Sequence, residues 1–204
     1  MIKTQIQKID CDWTDIKNEC RATVGKEPTD KVPSKNFIIK LLIAEHSPIR
    51  LATIKWAWHG IKSWVSVHFA RHWLGWDKWV STQRSDRTNI NRDKQPQDTP
   101  VNIDIRANAQ ALINVSRWRL CFQSSPETRE QMEDLKRTIR DSGQPELSLV
   151  MQPNCVYRCG CPEFEKNCGY WEQFIKNNPD LDICDIRARY EAADKYFYSR
   201  YDNG

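Results

Sequence analysis

The chain has 204 residues, with 31 Lys and Arg against 27 Asp and Glu, 39% hydrophobic residues, nine Trp, eight Cys and seven Gly. That length supports one large core without covalent staples, and a net charge of +4 spread over interspersed acids and bases excludes the concentrated positive field of a nucleic-acid coat. A mean hydropathy of −0.74 with short apolar runs excludes a helical membrane span, which needs about 20 apolar residues, and the absence of G-x-G-x-x-G and G-x-x-x-x-G-K-S/T excludes the usual glycine loops for phosphate.

In chain order, residues 1–33 are polar, punctuated by Pro28 and Pro33, and read as a short strand and loop. Ser34 is a helix N-cap ahead of Phe37, Ile38, Leu41 and Leu42, which share a face, and Pro48 stops that helix near His46. Ile54, Trp56 and Trp58 alternate with Lys55 and Ala57 as a strand that Gly60 closes. Ile61, Trp64, Val65, His68, Phe69, His72 and Trp73 recur at three and four residues, an amphipathic helix with two histidines and Arg71 toward its end. Residues 74–100 are mostly polar; so long a loop inside one domain usually carries function. Val101, Ile103 and Ile105 form a strand, after which Asn108 caps a helix with Leu112, Val115 and Arg119 close to one face. Asn108 and Arg119 can thus address one site.

Ser125-Pro126-Glu127 starts a helix that runs to Gly143 on the stripe Met132, Leu135, Ile139. Pro145 opens a short helix stopped by Pro153, a cysteine-dense loop covers 154–169, and Ile183, Ile186, Tyr190, Ala193 and Phe197 mark a C-terminal helix. With no repeat or linker, the expected fold is one α/β (α+β) domain, a twisted sheet with flanking helices. Its parts are a core over 1–150, a cysteine-rich loop over 151–170 and a helical segment over 171–204 packed on the same domain. The N-terminus shows no apolar secretory stretch, so a reducing, cytoplasmic location is expected, with thiols or metal ligands rather than disulfides.

Two polar blocks stand out. Arg71-His72-Trp73 is followed after seven residues by Ser81, Thr82, Gln83, Arg84, Ser85, Asp86 and Arg87. Guanidinium groups grip phosphate and planar carbonyl ligands bidentately, and hydroxyls complete such a cradle; a solvated basic loop is the plain alternative. The second block is Asn108-Ala109-Gln110-Ala111-Leu112-Ile113-Asn114 with Arg119, able to read the edge of a base or flavin, or simply a capped core helix.

In order and spacing the two blocks together resemble the flavin-dependent thymidylate synthase family. Arg71, His72 and Ser81 fit its Arg-His-Arg, seven residues, Ser motif, and Asn108, Ala109, Leu112, Asn114 and Arg119 fit its Asn-Ala-x-x-Leu-x-Asn-x-x-x-x-Arg motif without a gap. Cys20-Arg21-Ala22-Thr23 is similar to its early Ala-Arg-Val-Ser segment, His46-Ser47-Pro48 to its His-x-Thr-Pro turn, and Glu127 stands where the family has a glutamate. The resemblance spans roughly residues 20–140. It implies a homotetramer with active sites at subunit interfaces, FAD as cofactor, and reductive methylation of dUMP, or another pyrimidine deoxynucleotide, with methylenetetrahydrofolate and NADPH. It further implies Arg119 as the group that polarises the uracil, and His68, Arg71, Ser81, Thr82, Gln83 and Arg84 beside it at the substrate. Thr23, His46, His72, Asn108 and Asn114 match flavin-binding positions. The chain departs from the pattern at Trp73, where the family has its second arginine, at Trp79, where it has an acid, and at His68, where it has glutamine. A related one-carbon transferase with another pyrimidine nucleotide, or a non-catalytic nucleotide or nucleic-acid binder, remain open alternatives.

Outside these blocks, Cys155, Cys159, Cys161 and Cys168 lie within fourteen residues around Pro162 and two glycines. Thiolates in that density suit zinc or an iron–sulfur cluster, with a structural zinc the first choice and Cys121 a candidate replacement for one ligand. Free cysteines in a loop are the alternative.

Overall fold

The computed structural model describes residues 2–201. It is a mixed α/β fold built on a four-stranded antiparallel sheet with flanking helices. The strands are β1 (Gln5–Asp10), β2 (Thr53–Lys62), β3 (Trp76–Val80) and β4 (Pro100–Asn108), in spatial order β1-β2-β4-β3. In β4, Val101, Ile103, Ile105 and Ala107 are buried while Asn102 and Arg106 point outward, the period-two signature of a sheet with one covered face. Ile54, Trp56 and Trp58 of β2 lie on that core. Trp56 meets Trp58 and Trp76 edge to face, with ring centroids 5.7 and 5.3 Å apart.

The helices are α1 (Trp13–Ala22), α2 (Lys35–Ile43), α3 (Ser63–Ala70), α4 (Ser85–Thr88), α5 (Ala109–Arg119), α6 (Pro126–Asp141), α7 (Pro145–Val150), α8 (Asn154–Arg158), α9 (Tyr170–Lys176) and α10 (Ile186–Ser199). Ser34 caps α2 through the amide of Phe37, as its sequence position predicts. α3 packs on β2, β4 and α6, and α5 follows β4 directly, so the ends of α3 and α5 meet beside the β3 edge. Helix α6 carries a fully buried ammonium: Lys136 Nζ donates to the carbonyls of Ser148 and Met151 and pairs with Asp194 at 2.7 Å. Burial pushes its pKa down against the pull of Asp194.

Several elements differ from the sequence expectation. The 1–33 stretch contains α1, capped by Asp12, whose carboxylate accepts from the amides of Thr14 and Asp15. Only Ile16 of that helix is buried, so no apolar stripe announces it. Gly60 does not close β2; with φ of 80° it sits where the β2–β4 register shifts, a bulge inside the strand. The polar 74–100 stretch is not structureless: it supplies β3, α4 and a 3-10 turn at Arg92–Lys94. Only Trp76 of β3 is buried, because β3 is an edge strand, and its sequence therefore shows no strand period. Ser125 does not cap α6 through its side chain; its hydroxyl donates to Thr128 Oγ1. The cysteine-dense stretch begins with α8, and the last three residues of the 171–204 segment lie outside the described residues.

Candidate active site

Arg119 is the last residue of α5, and its side chain reaches the chain that leaves α3. Its Nε donates to His72 Nε2 at 3.0 Å and its Nη2 donates to the carbonyl of His68 at 2.9 Å. The two polar blocks, 47 residues apart at this contact, thus meet within one chain. A guanidinium nitrogen can only donate, so His72 Nε2 is the accepting atom and its proton sits on Nδ1. Burial first, then the charges of Arg119 and Lys78, hold the His72 pKa down to about 4. Lys78 also donates to the His72 carbonyl at 2.6 Å. Burial, Arg119 and Arg71 push His68 down likewise. Arg119 is itself lowered, by burial and then by Arg71.

The physical content is a cationic corner with two neutral imidazoles. Arg71 disfavours the charge of Arg119, which its bonds to neutral His72 and to the His68 carbonyl hold in place, and an anion between the two guanidinium groups would relieve that repulsion. Arg71 is exposed and has no hydrogen-bond partner among the described residues, so its fork is free to grip one. Two clefts open on either side of it. The larger, about 390 Å³, is lined by Ser63, Trp64, Val67, His68, Arg71 and Gln97. The smaller, about 170 Å³, is lined by Arg71, His72, Trp73, Leu74, Ala111, Asn114 and Val115. Trp73 is 71% exposed, an apolar ring presented to solvent at the edge of this cleft.

The other expected residues are placed as follows. Asn108 Oδ1 accepts from the amide of Ala111 at 2.9 Å, which caps α5 and leaves only its amide nitrogen to donate. Asn114 lines the smaller cleft, and its oxygen accepts from Arg117 and Gln110. Both of those donors also hold Glu45, which follows α2 at a φ of 50°. His46 comes next, exposed, with Nδ1 3.9 Å from Cys20 Sγ, and Thr23 caps the end of α1 with its hydroxyl on the Cys20 carbonyl. A run of contacts thus leads from Thr23 through Cys20 to His46 and, past Glu45, to Asn114, of which only Asn114 lines the small cleft.

Among the described residues Ser81, Thr82, Gln83 and Arg84 make no hydrogen bond or ion pair with Arg71, His72 or Arg119; their bonds run elsewhere. The backbone and hydroxyl of Ser81 both bond Asn102, which is six residues before Asn108 on β4, roughly 20 Å along the strand. Thr82 Oγ1 accepts from the Arg84 amide, and Arg84 forms a two-pronged pair with Asp86 at 3.0 and 2.7 Å.

Three contributors escaped the sequence reading. Glu45 and Arg117 organise the Asn114 side of the cleft, but a charged pair 72 residues apart leaves no spacing signal. The carbonyl of Gly75, at φ +67°, accepts from the Asn108 backbone amide, and a Cβ there would stand 2.4 Å from Asn108 Nδ2. Only glycine lets the turn after His72 pass so close to the α5 cap. Its place between Leu74 and Trp76 was the available sign.

All eight cysteines are free. Cys155 on α8 is buried, which together with the neighbouring Cys121, Cys168 and Cys161 pushes its thiol up to about 12. Cys159 adopts φ of 59° and donates its thiol to the Ile183 carbonyl at 2.9 Å, away from the other three. Among the described residues no three His, Cys, Asp or Glu side chains stand ready to hold a metal ion. No helix there is long and apolar enough to cross a membrane.

No family model and no curated protein matches the chain. Solved structures do. A UMP/dUMP methylase, PolB from Streptomyces cacaoi, bound with 5-Br dUMP, superposes with a TM-score of 0.58 at 12% identity, covering 74% of this chain and 94% of its own. Thymidylate synthase X (ThyX) from Helicobacter pylori, solved with FAD and dUMP, superposes with a TM-score of 0.60 at 11% identity, covering 74% of this chain and 99% of its own. The chain therefore has the fold of these two enzymes, nearly whole, with about a quarter of its length left over.

Proposed function

We propose that the corner formed by Arg71, His72 and Arg119 binds a pyrimidine deoxynucleotide and that the protein methylates it reductively, dUMP being the simplest substrate, with methylenetetrahydrofolate as carbon donor, NADPH as reductant and the cytoplasm as its place. The observation that carries this reading is the bond from Arg119 to His72, which joins the two blocks that resemble the flavin-dependent thymidylate synthase family. The shared fold with one structure holding FAD and dUMP supports it.

Arg119 has two donors tied to protein and its Nη1 edge without a partner among the described residues, a preset cation for charge developing on a pyrimidine carbonyl. Neutral His72 fixes the orientation of that cation without adding a competing charge. Arg71 is free to meet the phosphate bidentately, with His68 beside it. The residues of the smaller cleft fit a flat, hydrogen-bonding ring: His72 offers its Nδ1–H, Asn114 its amide N–H groups and Trp73 an exposed indole face. His72, Asn114, Asn108 through its amide nitrogen, and Thr23 and His46 on the adjoining side would hold FAD, which when bound supplies the hydride. No metal enters this reading.

Ser81, Thr82, Gln83 and Arg84 make no bond to the same chain's Arg71, His72 or Arg119 among the described residues, so a second copy, in a homotetramer, is proposed to bring them to the substrate. Trp73 in place of an arginine favours a second reading on the same site, in which the pocket takes another pyrimidine nucleotide. The test is to incubate the purified protein with FAD, NADPH, methylenetetrahydrofolate and either dUMP or dCMP, and to weigh the nucleotide products. A gain of one methyl group on dUMP supports the first reading and on dCMP alone the second; unchanged nucleotides with colourless protein refute both.

A further inference from the structure

Asn114 is an exposed side chain of α5 that lines the smaller cleft. Its oxygen accepts from Arg117 Nη1 at 3.1 Å and from Gln110 Nε2 at 3.4 Å, neighbours about one turn away on the same helix face. With both lone pairs of the oxygen engaged, the amide nitrogen is the end left for the cleft. Arg117 is itself held: its Nη2 pairs with Glu45, and its Cζ sits 3.5 Å from the centroid of the Tyr157 ring. Tyr157 belongs to α8, which packs on α5. The buried Arg189 of α10 fixes that helix in turn, donating through Nε to the Val156 carbonyl at 2.6 Å and through Nη2 to the Tyr157 carbonyl at 3.3 Å. A run of contacts therefore extends from α10 through Tyr157 and Arg117 to the wall of the cleft. The other polar side chains on that wall are Arg71, which can only donate, and His72, whose Nε2 already accepts from Arg119 and whose other ring nitrogen carries a proton. The polar side chains lining the cleft thus offer N–H groups and no free acceptor.

We propose that Arg117 and Tyr157 are positioning residues that hold the Asn114 amide with its nitrogen toward the small cleft, so that the cleft selects flat rings edged with acceptors, the O=C–N= edge of oxidised flavin being the match. The flavin part rests on the reading given above; the orientation of Asn114 does not. The selection follows from an asymmetry. A donor that meets an acceptor gains a modest bond, whereas a donor that meets an amino group leaves both unmade in a partly desolvated place, which costs more than the bond is worth. A freely turning Asn114 would present its oxygen to an amino-bearing edge equally well, and the discrimination would go. Glu45 holds only one prong of the Arg117 fork, which leaves the group able to pivot about that contact; the Tyr157 ring fixes its plane and so keeps Nη1 on the Asn114 oxygen. Tyr157 lies beyond the stretch of roughly 20–140 that resembles the flavin-dependent family, so a part of the chain outside the motifs completes the cleft.

The experiment uses the full chain and its variants Tyr157→Leu, Tyr157→Phe, Arg117→Lys, Asn114→Ala, Asn114→Asp and the double variant Asn114→Ala/Tyr157→Leu. The first reading, without FAD, is the NMR order of the Asn114 side-chain amide, which should be restrained in the unaltered protein and in Tyr157→Phe and mobile in Tyr157→Leu and in Arg117→Lys, whose ammonium can pair with Glu45 but has no fork. The second is the dissociation constant for FAD from flavin fluorescence. Loss of one hydrogen bond predicts about fivefold weaker binding for Asn114→Ala and for Tyr157→Leu, unchanged binding for Tyr157→Phe, and no further loss when Tyr157→Leu is added to Asn114→Ala. Asn114→Asp keeps the shape and strengthens the bond to Arg117 but turns an acceptor to the cleft, so the thermal midpoint should hold while FAD binding falls at least about tenfold. Equal amide order in the unaltered protein and Tyr157→Leu, additive losses in the double variant, or full FAD binding by Asn114→Asp would each overturn the proposal. Absence of FAD binding by the unaltered protein, with the amide order as expected, would instead overturn the flavin reading and support the hold of Tyr157 on Asn114.

Discussion

His72 is expected to stay neutral across the physiological range, with its proton on Nδ1, and to titrate only near pH 4. The perturbation is acid. The pKa is depressed in the folded protein, so the unfolded chain takes up the proton first, near the ordinary value of 6.5. The contribution to stability is therefore complete above pH 6.5 and is lost as pH falls toward 4. A drop of that size would correspond to ~3 kcal/mol for a ring wholly shielded from water, and the half-buried ring of His72 is screened to about 1–2 kcal/mol. Burial is the larger cause and Arg119 the next, so Arg119→Ala should raise the His72 midpoint only part of the way back. The assay is the proton–carbon NMR titration of the His72 ring, paired with urea unfolding at pH 7 and pH 4.5. The unaltered protein should lose about 1–2 kcal/mol more between the two conditions than His72→Gln, whose amide can still accept from Arg119 but does not titrate. A midpoint near 6.5, or equal losses in both proteins, would refute a neutral, buried acceptor at this position.

Further outcomes are expected at other sites. Gly75→Ala places a Cβ against Asn108 and strains a left-handed turn, so it should cost roughly 2–3 kcal/mol from the backbone and the lost cap together; a thermal midpoint unchanged within 2 °C, on the scale of ~2–4 °C per kcal/mol, would contradict that. Lys136→Ala leaves Asp194 and two carbonyls without their buried partner and should lose about 3–5 kcal/mol in urea unfolding, whereas Lys136→Met should lose less; the reverse ranking would sink the argument. If Ser81 and Arg84 serve the Arg119 of another copy, mixing inactive Arg119→Ala with inactive Ser81→Ala/Arg84→Ala protein should restore part of the turnover, read as product per chain. No recovery after exchange of subunits would remove the shared-site arrangement.

How far the molecule is legible from its residues varies by element. β4 and α5 could be read because their apolar positions repeat cleanly and Asn108 marks the junction; the burial of Val101, Ile103, Ile105 and Leu112 follows that pattern. Helix α1 and strand β3 could not, since each buries one residue and takes its order from a cap or from pairing with β4. At the site, spacing put Asn108 and Arg119 close to one face of α5, whereas the reach of Arg119 to His72 is a tertiary contact that no spacing announces. The separation of Ser81 from Trp73 was illegible, because a seven-residue interval is short in sequence yet long when five of the seven run out as an edge strand.

The lodging of a pyrimidine nucleotide against Arg119 and Arg71 is tested most directly by titration calorimetry of dUMP into the FAD-supplemented protein. A charge-assisted contact is worth about 1.5–3 kcal/mol, so Arg71→Ala and Arg119→Ala should each weaken dUMP binding roughly 10- to 100-fold while circular dichroism stays unchanged. Binding of equal strength in all three proteins, or none in the unaltered chain, would contradict it.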